Sequence, residues 1–152
     1  MKAVLMRVQR ASVTIDERET RSIGRGFLIL LAVTHDDTEA QAVKLADKLC
    51  SLRLFEDADG KINLTLDEVG GEIMIVSQFT LYGNCRKGRR PEFLNAARPE
   101  TAIPLYEKFV SLVRAKGYHV ETGEFGAYMA FDSVNDGPFT LIVDTKDLEA
   151  PK

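Results

Sequence analysis

Two stretches of this chain carry polar side chains where a purely structural strand has no need of them. The first is Ser77-Gln78-Phe79-Thr80-Leu81-Tyr82-Gly83, the second Asn135-Asp136-Gly137-Pro138-Phe139-Thr140. Ser77 and Thr80 bring hydroxyls and Gln78 an amide, groups that serve as nucleophile or hydrogen-bond donor where an acyl carbon is attacked. Neither hydroxyl sits in a nucleophile-elbow pattern, and the chain's two histidines, His35 and His119, fall outside both stretches, so a serine-histidine triad is not expected. A structural alternative stands beside the chemical one. The first stretch also reads as a strand end, with Ser77, Phe79 and Leu81 on one face and Gln78, Thr80 and Tyr82 on the other. The second also reads as a turn, since its residues accept left-handed or fixed backbone angles.

Arg86, Lys87, Arg89 and Arg90 form the densest basic cluster and directly follow the first stretch. A solvated loop and a phosphate-contacting surface are both consistent with such a run. Asp57-Ala58-Asp59-Gly60 lacks the third acidic position and the closing glutamate of a calcium loop and reads as a hairpin turn. Gly24-Arg25-Gly26 is too short a glycine pattern for nucleotide binding. No Cys/His/acidic cluster is visible, so neither a metal nor a cofactor is expected, and Cys50 and Cys85 read as reduced thiols.

The elements that must position these groups follow from periodicity. Residues 2–15 alternate as a strand that turns at Asp16-Glu17-Arg18 and returns to Ile23. Arg7 then lies on the face opposite Met6 and Val8. Phe27–Val33 is a continuous apolar run, expected as a buried central strand. Asp37 or Thr38 caps a helix whose apolar face carries Val43, Ala46, Leu49 and Cys50. Strands are expected at Ile62–Leu66 and Glu72–Tyr82. A second helix over Pro99–Ala115 has Ile103, Tyr106, Phe109, Val110 and Val113 on one face, and Gly117 ends it. Three further strands are expected at His119–Phe125, Ala127–Val134 and Phe139–Asp144. The order β-β-β-α-β-β-α-β-β-β, with strands in blocks, implies an α+β domain with mixed, barrel-like sheets and two helices.

With 152 residues, 45% hydrophobic and 28% charged, the chain fits one layered domain over residues 1–145 and a short fraying tail, 146–152. The apolar runs are too short and too interrupted by charge for a leader or a membrane span, which makes the cytoplasm the expected location. A net charge of -3 excludes general adhesion to nucleic acid; any RNA contact must come from a local patch.

Together and in this order, Ser-Gln-Phe-Thr-Leu and Asn-x-Gly-Pro-x-Thr resemble the two signature motifs of the D-aminoacyl-tRNA deacylase family. The likeness runs nearly the whole length, through Met6-Arg7-Val8-Gln9-Arg10-Ala11-Ser12-Val13, Leu52-Arg53-Leu54-Phe55-Glu56-Asp57, Arg86-Lys87-Gly88-Arg89-Arg90-Pro91 and Thr122-Gly123-Glu124-Phe125-Gly126-Ala127. It implies a homodimer acting on aminoacyl-tRNA, with active sites at the interface. Each site would use the Ser77-Gln78 strand of one subunit and the Gly137-Pro138 turn of the other. In the family the glycine-proline peptide is cis, which only roughly 5–6% of X-Pro bonds are, and its carbonyls wall off L-amino acids. Glycine, having no side chain to exclude, should be admitted.

With no triad expected, the site is expected mainly to position the ester, through the Gln78 amide and the backbone N–H groups near Phe79 and Thr80, while the ribose 2′-hydroxyl helps to activate water. The resemblance implies that Arg7 supports the Gly137-Pro138 turn; Met129 is expected in the core or pocket wall, and the position of Arg86, Lys87, Arg89 and Arg90 just after the active-site strand favours contact with tRNA phosphates. Two rivals remain at this level. One is a related deacylase group in which that peptide is trans and certain L-aminoacyl-tRNAs are admitted. The other is a nucleic-acid-binding module without hydrolysis.

Overall fold

The computed structural model describes residues 1–151; Lys152, the end of the expected tail, lies outside them. In chain order the strands are β1 (Lys2–Ile15), β2 (Glu19–Ile23), β3 (Gly26–Ala32), β4 (Arg53–Glu56), β5 (Ile62–Thr65), β6 (Glu72–Ser77), β7 (Val120–Thr122) and β8 (Met129–Asp144). Helix α1 (Glu39–Ser51) follows β3, α2 (Pro99–Ala115) precedes β7, and α3 (Thr145–Glu149) follows β8.

β1 organises the main sheet. Its first half pairs antiparallel with β3 and its second half with β2, while β8 runs antiparallel along its other edge. The β1–β2 turn places Asp16 and Glu17 at φ 48° and 59°, consecutive left-handed residues whose twist suits a tight hairpin. β3 pairs parallel with β6, and β6 parallel with β7, so the sheet is mixed along the path β2-β1-β3-β6-β7. The path curls until its ends meet: Arg21 of β2 donates to the carbonyl of Thr122 in β7 at 2.9 Å. Gly26 opens the β3–β6 register opposite Glu72. A Cβ there would lie 1.8 Å from the Glu72 carbonyl oxygen, so only glycine lets the two strands close.

Each face of this sheet has its own core. Phe27, Ile29 and Leu31 of β3 and Ile73 and Ile75 of β6 pack against Leu45 and Leu49 of α1 and Phe109 and Val113 of α2. On the other face Leu28, Met74 and Val76 meet Val8, Val13, Ile15 and Ile23 inside the curl. Burial on both sides is why β3 reads as an unbroken apolar run. Thr38 caps α1 in a capping box with Gln41, whereas Asp37 accepts from Thr34 N–H at 2.8 Å. The buried face of α1 is Ala42, Leu45, Ala46, Leu49 and Cys50, while Val43, expected inside, is 40% exposed. On α2 the buried face includes Ala102 and Leu105, with Ile103 at its margin. Cys50 and Cys85 are both free.

Four expectations change in detail. β6 stops at Ser77 because its partner β3 has ended; the last bond across them is Gln78 N–H to the Leu31 carbonyl, 2.8 Å. Residues 53–56, for which no element was expected, form β4 and pair with β5 around the turn at Asp57–Gly60. The two final strands are one, β8, interrupted in register. The tail forms a third helix in place of fraying: Asp144 caps it through Lys146 N–H, 3.0 Å. Thr145, 1% exposed, donates its N–H to the Met1 carbonyl at 2.9 Å.

Candidate active site

At Gln78 (φ -141°, ψ 76°) the chain leaves β6 and winds into a 3-10 turn, Phe79–Tyr82. The strict alternation expected over Ser77–Tyr82 therefore does not hold. Gln78 Nε2 donates to Thr80 Oγ1. The N–H groups of Phe79 and Thr80 open the turn and find no acceptor within it, as at the start of any helix. They lie beside a cavity of about 580 Å³ lined by Ser77, Gln78, Phe79 and Met129, with Phe93 and Phe125 in its walls. Thr80 is adjacent and exposed and does not line it.

Residues that the sequence did not single out hold both walls. On one side the hairpin turn of β1–β2 grips the segment from Thr122 to Met129. Arg21 donates to the carbonyls of Thr122 and Gly123 at 2.9 and 3.3 Å, and Arg18 pairs with Glu124 at 2.6 Å. Asp16 brackets Tyr128: its N–H donates to the Tyr128 carbonyl (2.9 Å), and its carboxylate accepts from Tyr128 N–H (3.1 Å). Gly123 leaves room for the neighbouring Met129, whose sulfur would lie 2.4 Å from any Cβ added there. On the other side, the end of β3 holds the segment from Phe93 to Ala97. The Thr34 hydroxyl donates to the Asn95 carbonyl (2.6 Å) and the His35 ring nitrogen meets the Leu94 carbonyl (2.6 Å). Phe93 stands edge-on to Phe79, centroids 5.2 Å apart. These partners are far apart in sequence and sit on an ordinary charged turn and strand end, so no local pattern marks them.

The second motif is a loop-out. Met6 pairs with Thr140 and Val8 with Asn135, leaving Asp136 to Phe139 opposite Arg7 alone. Asn135 closes the loop, donating to Thr140 Oγ1 (2.8 Å) and accepting from Phe139 N–H (2.8 Å). The Gly137-Pro138 peptide is cis. Gly137 has φ 142°, and a Cβ there would lie 2.8 Å from Phe139 N.

Arg7 is 4% exposed, not solvated. It donates to the carbonyls of Asp136 (3.0 Å) and Leu54 (2.6 Å) and to Glu56 (3.2 Å), with its guanidinium over the Phe139 ring at 5.0 Å. The Glu56 carboxyl is held below its usual range, first by its own backbone N–H and then by the Arg7 charge. Gly137 and Pro138 are exposed and do not line the cavity. One chain thus keeps the two motifs apart.

Arg86, Lys87, Arg89 and Arg90 are exposed on a small hairpin closed by Asn84 and Glu92, whose backbones exchange bonds of 2.8 and 3.0 Å. Arg86, Lys87 and Arg90 line a groove there and Arg89 does not. Among the described residues, none of the four is paired with a carboxylate within salt-bridge distance. No described helix is long and apolar enough to cross a membrane.

A curled mixed sheet with helices on one face and a polar break at the end of its inner strand belongs, by comparison with known proteins, to the aminoacyl-tRNA deacylases, a class of hydrolytic enzymes. Within that class, the chain is a member of the D-Tyr-tRNA(Tyr) deacylase family, whose model matches residues 4–144. It is 53% identical over 147 residues to a D-aminoacyl-tRNA deacylase of Thermus aquaticus, with 97% of each chain covered. It is 54% identical over 132 residues to an inactive D-aminoacyl-tRNA deacylase of Bacillus subtilis (strain 168), covering 87% of this chain and all of that one. Among solved structures, a c-Myc DNA Unwinding Element Binding Protein shares the fold with TM-score 0.87 and 40% identity, over 95% of this chain and 98% of that one.

Proposed function

We propose that this protein hydrolyses the ester of D-aminoacyl-tRNA in the cytoplasm, releasing free D-amino acid and tRNA, admitting glycyl-tRNA and refusing L-aminoacyl-tRNA. The observation that carries the reading is the break after β6: in a member of this family, Ser77, Gln78 and Phe79 line an aromatic-walled cavity beside N–H groups left without acceptors in their own turn. Those N–H groups and the Gln78 amide are donors for the ester carbonyl as it gains charge, a kind of contact whose removal costs roughly 10²–10³ in kcat. Thr80 holds the Gln78 amide, which suits a positioning role better than that of nucleophile. Water, assisted by the 2′-hydroxyl of the terminal ribose, then attacks the acyl carbon, and the ribose oxygen leaves.

In this reading the exposed Gly137-Pro138 turn, which has no cavity of its own, enters that of a second copy. There its backbone excludes the side chain of an L-residue, Arg7 keeps the turn oriented, and Met129 backs the pocket. Arg86, Lys87, Arg89 and Arg90 contact the phosphates of the tRNA.

Because one relative at 54% identity is named inactive, product release is the deciding measurement. Incubation with D-tyrosyl-, L-tyrosyl- and glycyl-tRNA should release D-tyrosine and glycine only. Release of L-tyrosine would overturn the chiral reading. Release of none would instead favour a nucleic-acid-binding role, as the name of the solved relative suggests for that protein. Thr80→Ala should keep substantial activity, while a substrate ending in 2′-deoxyribose should react poorly; the reverse pair of results would make Thr80 the nucleophile.

A further inference from the structure

Tyr128 stands at the mouth of the cavity, 71% exposed, the most exposed of its aromatic lining residues. Its backbone, by contrast, is fixed on both sides by Asp16. A flat ring left in water on a rigid support pays little ordering cost when something covers it. Arg98 lines the same cavity with its side chain 81% exposed, and among the described residues its one carboxylate partner is the exposed Glu100, at 3.6 Å. The mouth therefore offers an aromatic face and a guanidinium. Those two groups together suit an unpaired nucleotide, the ring for its base and the cation for its phosphate.

We propose that Tyr128 and Arg98 form a subsite for the nucleotide preceding the aminoacylated one, Tyr128 stacking on its base and Arg98 meeting its phosphate. The inference rests on the deacylase reading. A cavity of about 580 Å³ is in the range that encloses one drug-sized ligand, so the terminal aminoacyl nucleoside fills it and the next nucleotide must lie at its rim. The single-stranded end of an acceptor stem carries unstacked bases, and stacking on an aromatic ring takes any of them.

The test compares D-tyrosyl-tRNA with D-tyrosyl-adenosine, which lacks the preceding nucleotide. Tyr128→Ala should raise KM roughly tenfold for the tRNA substrate, leave kcat unchanged and leave both constants unchanged for the adenosine ester. Tyr128→Phe should restore the tRNA KM, because the ring and not the hydroxyl does the stacking. Arg98→Gln should lower the salt slope of tRNA binding by about one. Equal losses for both substrates would put Tyr128 in the amino-acid pocket, and no loss for either would leave the ring idle; each overturns the proposal. A second readout does not need catalysis. The chain has no tryptophan, so Tyr128→Trp provides a single tryptophan, excited apart from the remaining tyrosines, that uncharged tRNA should quench and adenosine should not. Absence of quenching by tRNA would overturn the subsite even if the wild type hydrolysed neither substrate, a result that would by itself count against the deacylase reading only.

Discussion

Arg7 shows what one buried cation does to its surroundings. Its fork reaches two backbone carbonyls and a carboxylate from two separate segments, β4 and β8, with β1 itself supplying none of them. Arg7→Met would leave the carbonyls of Asp136 and Leu54 without their donor, and should cost about 1–3 kcal/mol in urea denaturation. Glu56 adds a pH dependence of known sign. Its folded pKa is depressed, so its contribution is present above the ordinary carboxylate range and is lost as pH falls through the lowered folded value. Glu56→Gln should therefore flatten the acid limb of the stability profile as pH falls through and below the ordinary carboxylate range, read by urea midpoints at a series of pH values. An unchanged acid limb would mean that other carboxylates carry it.

At the scale of elements, the β1–β2 hairpin acts as a bracket for a loop that begins a hundred residues later in the chain. Arg21 makes the central contact, and Glu19 beside it holds the guanidinium in place at 3.0 Å. Arg21→Ala should cost about 1.5 kcal/mol of stability, the low end of the range for a hydrogen bond involving a charged group, since the side chain is partly exposed. It should also speed amide exchange over residues 122–128 and raise KM more than it lowers kcat, since the loop lines the cavity without supplying the donors. Exchange confined to β2 itself would show that the bracket does not reach the site.

At the scale of the molecule, the chain is acidic overall, with a net charge of -3, and its densest basic cluster, Arg86, Lys87, Arg89 and Arg90, sits on one hairpin. The field that an RNA meets is therefore local. Lys87→Glu or Arg89→Glu should weaken tRNA binding and reduce the dependence of log Kd on log salt by about one or more, measured by titration across a salt series. Because Arg86, Lys87 and Arg90 line the groove there and Arg89 does not, Lys87→Glu should have the larger effect. Binding unchanged from wild type in both variants at every salt concentration would make the hairpin a solvated loop.

Much of this was legible in the chain because it is written in short-range terms. Two-residue alternation marks β1, unbroken apolar character marks β3, and three-to-four spacing marks both long helices, since each pattern follows from which faces are buried. The two motifs were visible as well, and with them Ser77, Gln78, Gly137 and Pro138. Local pattern failed where a partner decides. β6 ends because β3 ends beside it; residues 53–56 become a strand because residues 62–65 lie opposite; and the last turn folds into α3 against Met1. By itself the sequence determined the family, the layered α+β class and the residues of both motifs, because those depend on residue identity and on periods of two and of three to four. Only the tertiary structure decided that the first motif leaves its strand in a 3-10 turn, that Arg7 is buried on the second, and that Asp16, Arg18 and Arg21 carry the cavity wall. Each of these is a contact between segments distant in sequence, and no local spacing encodes which distant carbonyl a guanidinium will find.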